Sequence, residues 1–336
     1  MIQETIGKVV EGSDLTEREA ASVMGEIMSG RATDAQIASF LTALRLKGET
    51  VEEITGFARV MRDKAIHIQS HTGPIVDTCG TGGDASGTFN ISTVSAFVAA
   101  GAGVKVAKHG NRSVSSRCGS ADVLKGLGIN IEVPPDVVAQ CIDDVGMGFL
   151  FAPLLHGAMK YAIGPRREMG IRTVFNILGP LTNPAMANAQ LLGVYAEALT
   201  EPMADVLSRL GCNHAYVVHG EDGLDEITTT SRTKVSEVAP GGIKSYYIQP
   251  EDFGISRTSL DQLRGGDTEE NVEIARRILQ GERGPKRDVV LLNAGAAIAV
   301  GGVAQSIEEG ISLAEKSLDA GAALEKMERL MVITNS

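Results

Sequence analysis

The chain has no tryptophan, and aromatic residues make up only 4% of its 336 positions. Its four cysteines, Cys79, Cys118, Cys141 and Cys212, form no CxxC pair and stand at no metal-ligand spacing from a histidine. A zinc site and a disulfide framework are therefore unsupported, and a reduced, cytoplasmic setting is expected. Basic residues are outnumbered, 31 Lys and Arg against 42 Asp and Glu, giving a net charge of −11. That balance argues against a surface built to bind nucleic acid, and any anionic ligand must meet a local basic patch. No basic segment followed by an apolar one opens the chain, so no secretion signal is expected. The longest uncharged run, Val289 to Ile307, contains Asn293, Gln305, Ser306 and three glycines. It reads as a buried helical hairpin rather than a membrane span.

What the chain has in abundance is glycine, 39 residues, which implies many close backbone approaches. Its length suits one large or two ordinary domains. Residues 1 to about 70 read as a helical module, because one start signal occurs three times ahead of helical apolar spacing. Thr16 with Glu19, Thr33 with Gln36 and Thr50 with Glu53 are the three capping pairs. Short loops between such helices predict antiparallel packing. Gly73-Pro74 marks a boundary, giving a helical unit over 1–72 and a second unit over 73–336.

In the second unit, β-rich runs alternate with helical patterns, which predicts an α/β fold with a central, mostly parallel sheet. Strands are expected at 75–78, 104–107, 129–132, 190–194 and 215–219, with a further pair at 235–238 and 244–248 around Pro240-Gly241-Gly242. Helices are expected near 92–100, 120–127, 135–145, 201–210 and 268–279. A helix and a loop rich in Gly, Pro and Asn between Arg166 and Pro184 interrupt the alternation. Part of that insertion, 165–186, is expected to join the helical module in space.

Four segments carry chemistry. Asp77-Thr-Cys-Gly-Thr-Gly-Gly-Asp84 lies between a strand and a helix, a position where backbone N–H groups and a positive helix end suit phosphate. It lacks the Gly-Lys-Ser/Thr of a Walker loop and the order of a dinucleotide fingerprint, and a purely structural turn stays open. The run from Lys105 to Arg117 collects Lys105, Lys108, Arg112 and Arg117 with no acid, as a flexible cradle for a polyanion or as a solvated loop. His219-Gly-Glu-Asp-Gly-Leu-Asp-Glu226 follows another strand. Adjacent Asp225 and Glu226 with no basic neighbour in sequence suit Mg²⁺, or an exposed acidic turn. Arg166 could clamp a carboxylate bidentately or decorate a helix. A thiol nucleophile finds no orienting acid beside Cys79, Cys118 or His109, and no Gly-x-Ser-x-Gly elbow occurs.

Taken in order, Gly80–Asp84, Thr88–Thr93, Lys108–Ser116, Gly119–Leu124, Arg166–Gly170, Phe175–Pro184 and Val218–Ile227 resemble the anthranilate phosphoribosyltransferase family, over nearly the whole chain. The resemblance implies a small helical domain hinged to a large α/β domain, shared with pyrimidine nucleoside phosphorylases, and a homodimer formed through the helical domain. It implies transfer of the 5-phosphoribosyl group of phosphoribosyl pyrophosphate (PRPP) to the amine of anthranilate, in tryptophan biosynthesis, with Mg²⁺, two ions per subunit. By the same resemblance Gly80, Gly83, Asp84, Thr88, Asn90, Ile91, Ser92, Thr93, Lys108, His109, Gly110, Asn111, Arg112, Ser113, Val114, Ser115, Ser116 and Ser120 would hold PRPP. Lys108 and Asp84 would be catalytic, Gly80, Asn111 and Arg166 would hold anthranilate, and Ser92, Asp225 and Glu226 would bind the metal. A separate anthranilate synthase subunit would supply anthranilate.

The chain departs from the family pattern at Gly157, Tyr161 and Gly164-Pro165, on the anthranilate side. A nucleoside phosphorylase is disfavoured because Gly-Asn-Arg follows His109. A nucleic-acid-binding relative of the fold is disfavoured by the net charge and the intact Gly80–Asp84 and Asp225-Glu226 motifs.

Overall fold

The computed structural model describes residues 1–70, 73–84, 86–112 and 118–336. Four helices open the chain, α1 Ile2–Val10, α2 Glu17–Met28, α3 Asp34–Lys47 and α4 Val51–Lys64. The three capping boxes are present as expected, with Thr16, Thr33 and Thr50 each accepting from the N3 backbone. The helix α1 has no side-chain cap and was not marked in the sequence; its buried face is Ile2, Thr5 and Val9. The Glu53 carboxylate does more than cap, since it is fully buried and accepts from the Leu15 N–H at 2.9 Å and from Lys47 Nζ at 3.0 Å.

The elements that follow are β1 Ile75–Gly80, α5 Ile91–Gly101, β2 Lys105–Gly110, α6 Ser120–Gly126, α7 Pro135–Gln140, β3 Met147–Phe151, α8 Ala152–Leu155, α9 Lys160–Met169 and α10 Phe175–Leu178. Next come β4 Ala189–Gly193, α11 Thr200–Arg209, β5 His214–Gly220, β6 Thr233–Ala239 and β7 Gly242–Ile248. The chain closes with α12 Thr268–Leu279, α13 Pro285–Val300, α14 Ile307–Asp319 and α15 Ala322–Thr334. The sheet order is β3-β2-β1-β4-β5-β6-β7. Its first five strands run parallel, and β6 and β7 add an antiparallel hairpin.

Two expectations need correction. Residues 129–132 form no strand. Ile129 and Ile131 are buried and Asn130 and Glu132 exposed, but this alternation comes from one-sided packing, and the Asn130 N–H bonds the Thr334 hydroxyl instead of a ladder. The strand beside β2 at this edge of the sheet is β3, whose Gly148 leaves room for Ile142, since a Cβ there would lie 2.6 Å from Ile142 Cγ1. The helix expected over 135–145 is α7 followed by a π-turn at Cys141–Val145, closed by Gly146 at φ 94°. The Val289–Ile307 run does lie in a helical hairpin, of α13 against α14.

Helices cover both faces of the sheet. The larger core packs α5, α12, α13, α14 and α15 on one face. On the other, the apolar side of α1–α4 is continuous with Phe175, Ile177 and Leu178 of the insertion, with Met203 and Leu207 of α11, and with Leu192 and Val217 of the sheet. The chain leaves β1 toward β2 on one side and returns from β3 to β4 on the other. The strand order therefore reverses between β1 and β4, and in such sheets a crevice opens there at the carboxyl ends.

Candidate active site

The crevice is built on two paired glycines, Gly80 and Gly193, opposite one another at the ends of β1 and β4. A Cβ on Gly80 would lie 2.4 Å from Asp225 Oδ2, and one on Gly193 would lie 1.6 Å from the Asp225 carbonyl oxygen. Both residues must lack a side chain for the turn after β5 to enter the switch point. The Gly82 N–H then donates to Asp225 Oδ2 at 2.8 Å, and Gly82 and Gly83 take φ of 64° and 79° to make the bend. The next turn residue is held from behind, because Asn293 of α13 accepts from the Ile227 N–H at 3.0 Å and donates to its carbonyl at 2.8 Å.

Lys108 enters the same space from β2. It is 2% exposed, and its ammonium donates to the Thr78 carbonyl and, at 3.2 Å, to Ser92 Oγ. Burial lowers its pKa, against the attraction of Asp77, Glu226 and Asp225. Burial and the neighbouring Asp84 carboxylate push Asp225 up to about 7. Burial and Asp225 push Glu226 up to about 8, against the pull of the Lys108 ammonium and the Ser92 N–H. The acids that had no basic neighbour in sequence thus gain one in space.

Asp77 supports Lys108 from beneath. Its buried carboxylate accepts from the His109 N–H at 3.0 Å, from Asn183 Nδ2 at 2.8 Å and from the Cys79 thiol at 3.3 Å. Burial still raises its pKa. The His109 ring faces the Gly179 carbonyl with Nδ1 at 3.1 Å and His156 Nε2 with its own Nε2 at 3.1 Å. A carbonyl only accepts, so His109 carries its proton on Nδ1 and His156 donates from Nε2. Burial holds both rings neutral, His109 down at about 3, helped by His156, and His156 at about 4.

The remaining expected residues divide. Ser92 joins the acid and lysine cluster. Asn90 donates to the Cys118 carbonyl at 3.1 Å and accepts from the Thr93 hydroxyl at 3.2 Å. Ile91 and Thr93 are buried in the first turn of α5, so their side chains belong to the core. Thr88 forms an isolated bridge with Arg264. Gly110, Asn111 and Ser120 come together, with Ser120 Oγ donating to the Asn111 carbonyl at 3.3 Å.

Of the cationic cradle expected over 105–117, the three described bases, Lys105, Lys108 and Arg112, are dispersed. Lys105 and Lys108 are three apart on a strand and so point to opposite faces. Lys105 Nζ donates to the Asp143 carbonyl at 2.7 Å, and exposed Arg112 pairs with Glu132 at 3.3 Å. Ser113, Val114, Ser115, Ser116 and Arg117 lie outside the described residues.

Arg166 sits in the last turn of α9, not at the start of a helix, with its guanidinium 5.0 Å from the Phe175 ring centre. Burial lowers its pKa. Of the departures, Tyr161 packs against the backbone at Gly30, while Gly157 and Gly164 border open space.

Sequence reasoning passed over Arg172, Asn183 and Asn293 as site residues, because each acts through hydrogen bonds to distant segments that no local spacing reveals. Asn183 lies in the Phe175–Pro184 motif, whose spacing does not reveal its bond to Asp77.

Buried carboxylates forced against one another beside a hydroxyl are hard oxygen donors in need of positive charge, and this chemistry fits Mg²⁺. Among the described residues no three His, Cys, Asp or Glu side chains form a closed metal set. A cation at Asp225 and Glu226 would complete its shell with hydroxyl, phosphate or water oxygens, as Mg²⁺ commonly does. Among the described residues no helix is long and apolar enough to cross a membrane.

Residues 72–324 match the family model of the glycosyl transferase family a/b domain, and residues 3–65 that of the helical bundle domain. Anthranilate phosphoribosyltransferase of Moorella thermoacetica is 59% identical over 336 residues, covering 100% of this chain and 99% of that protein. The crystal structure of the Thermus thermophilus enzyme superposes with a TM-score of 0.94 at 45% identity, over 99% of each chain. Anthranilate phosphoribosyltransferase from Saccharomyces cerevisiae, in complex with PRPP and Mg, superposes with a TM-score of 0.91 at 28% identity, over 99% of this chain and 98% of that one. With a glycine-paired crevice, a buried lysine and facing carboxylates at the switch point, and full-length similarity of this order, the chain belongs to the anthranilate phosphoribosyltransferase family.

Proposed function

We propose that the chain transfers the 5-phosphoribosyl group of PRPP to the amine of anthranilate, giving N-(5-phosphoribosyl)anthranilate and pyrophosphate in tryptophan biosynthesis. The observation that carries this reading is the convergence of Lys108 with Asp225 and Glu226, the two acids that also face Asp84, at the Gly80–Asp84 turn. In this reading Ser92, Asp225 and Glu226 would hold Mg²⁺, two ions per subunit, which would supply positive charge for the pyrophosphate oxygens.

The protein's own residues do the rest. An aromatic amine is neutral near pH 7, so no strong general base is required, and catalysis is positioning and charge stabilisation. Lys108, fixed by Thr78 and Ser92, brings a buried ammonium to the anionic donor. The Gly80–Asp84 turn, the first turn of α5 and the Gly110–Ser120 region hold the phosphates of PRPP, and Asp84 holds charge at the reacting end. Gly80, Asn111 and Arg166 hold anthranilate, with Arg166 offering its fork to the carboxylate.

The same reading divides the chain into a helical domain over 1–72, joined by part of 165–186, and an α/β domain over 73–336. It makes the chain a cytoplasmic homodimer fed by an anthranilate synthase subunit. Support for the dimer comes from an apolar groove between α1 and α3, where Val10 and Leu46 are 68% and 84% exposed.

The test is loss of anthranilate fluorescence on mixing the protein with anthranilate, PRPP and Mg²⁺, with an EDTA control. Rapid, EDTA-sensitive loss is expected. No loss, with PRPP binding still measurable by calorimetry, would move the reading to another aromatic amine.

A further inference from the structure

Arg172 lies in the segment between α9 and α10 and reaches out of the insertion to the glycine-rich turn. Its Nη2 donates to the Gly83 carbonyl. Its guanidinium carbon stands 4.4 Å from the Tyr195 ring centre, within cation–π range. Tyr195 is itself tied to the turn, because its N–H donates to Thr81 Oγ1 at 3.1 Å, and the Thr81 N–H donates to the Gly193 carbonyl at 2.9 Å. Arg172 therefore grips the turn twice, directly at Gly83 and through Tyr195 at Thr81.

Gly83 is shaped for this contact. Its φ of 79° disfavours any side chain, and a Cβ there would lie 3.1 Å from Arg172 Nη2. Gly82 spends its N–H on Asp225. The bend is thus bounded by Asp225 on one side and by Arg172 on the other. The insertion that carries Arg172 also carries Arg166, and it is fastened again through Asn183, whose Nδ2 donates to Asp77 and to the Ala107 carbonyl, both at 2.8 Å.

We propose that Arg172 is a positioning residue that locks the Gly82–Gly83 bend in its donor-binding shape and ties it to the insertion bearing Arg166. The inference rests on the phosphoribosyl-transfer reading above. A lysine at this position keeps a charge and one donor but loses the planar fork that bonds and stacks together. A purely structural role would instead spread across stability and both substrates.

The experiment uses the full chain with Arg172→Ala, Arg172→Lys and Tyr195→Leu, varying each substrate and recording melting curves. Arg172→Ala is expected to raise the apparent KM for PRPP about tenfold while the KM for anthranilate stays within about twofold and the melting temperature is unchanged. Arg172→Lys should recover part of that loss. Tyr195→Leu should raise the same KM, and adding it to Arg172→Ala should cost nothing more, because the two act as one unit.

An unchanged KM for PRPP in Arg172→Ala overturns the inference, as does an equal rise in both KM values with a lowered melting temperature. If the unaltered protein shows no transfer, the functional reading fails. Calorimetry with PRPP then decides the Arg172 assignment, and equal affinity in the two proteins overturns it.

Discussion

Gly193 faces Asp225 so closely that a Cβ on the glycine would stand 1.6 Å from the Asp225 carbonyl oxygen. The atom in the way is backbone, so no side-chain rotation relieves the clash. Gly193→Ala must push the Asp225-Glu226 turn out of the switch point, and displacements near 1 Å cost about 100-fold in rate. Turnover should fall by about that factor or more. Activity assays beside circular dichroism check this, and full activity in a folded Gly193→Ala protein would show that the turn is free to shift.

Lys108 is bound to the Thr78 carbonyl and Ser92 and surrounded by carboxylates, so its charge is directed and desolvated rather than diffuse. Removing one such electrostatic group from a preorganised site costs about 10²–10³ in turnover. Lys108→Ala should show this loss with the KM for anthranilate little changed. Steady-state kinetics with either substrate varied provide the measurement, and unaltered turnover would remove Lys108 from the chemistry.

Much of this architecture was legible from local pattern. The three capping pairs marked α2, α3 and α4, and short apolar runs between turn residues marked β1, β4, β5 and the β6–β7 hairpin. Strand β3 was not legible, because Met147-Gly-Phe-Leu-Phe151 owes its place to a π-turn packing over Gly148. The alternation at 129–132 mimicked a strand without a partner to pair with. At the site, Lys108, Asp225 and Glu226 stood out as chemistry-bearing residues. Their meeting depended on parallel pairing and on the reversal at β1 and β4, which no local spacing encodes. The same period-two geometry that brings Lys108 inward sends Lys105 away, so counting bases along the segment does not show which of them share a face.

Arg166 is held by the face of Phe175, at 5.0 Å, at the end of a helix packed on the helical module. Among the described residues no carboxylate of the cluster perturbs its guanidinium, which is shifted by burial, so its loss should act on the acceptor. Arg166→Ala is expected to raise the apparent KM for anthranilate by about 10–100-fold, the worth of a charge-assisted bidentate contact. The KM for PRPP should hold. A rise in the latter instead would mean that the two subsites are exchanged.

The buried groups also set opposing pH dependences of stability. Asp225 at about 7 and Glu226 at about 8 lie above their ordinary values of 3.8 and 4.5. The folded protein therefore holds protons that the unfolded chain has released, and stability falls as pH rises through that interval. His109 at about 3 and His156 at about 4 lie below their ordinary 6.5, so their contribution is lost as pH falls below that value. Between 4.5 and 6.5 the two effects oppose each other. Above 6.5 the unfolded histidines lose their remaining protons, their opposition fades, and the carboxylates dominate. Metal-free protein should lose melting temperature from about pH 6.5 to about pH 8, and Glu226→Gln, which removes one titrating group, should lose less. Comparing the two melting curves cancels the histidines, so an equal decline in both proteins would mean that Glu226 is already ionised at the lower pH.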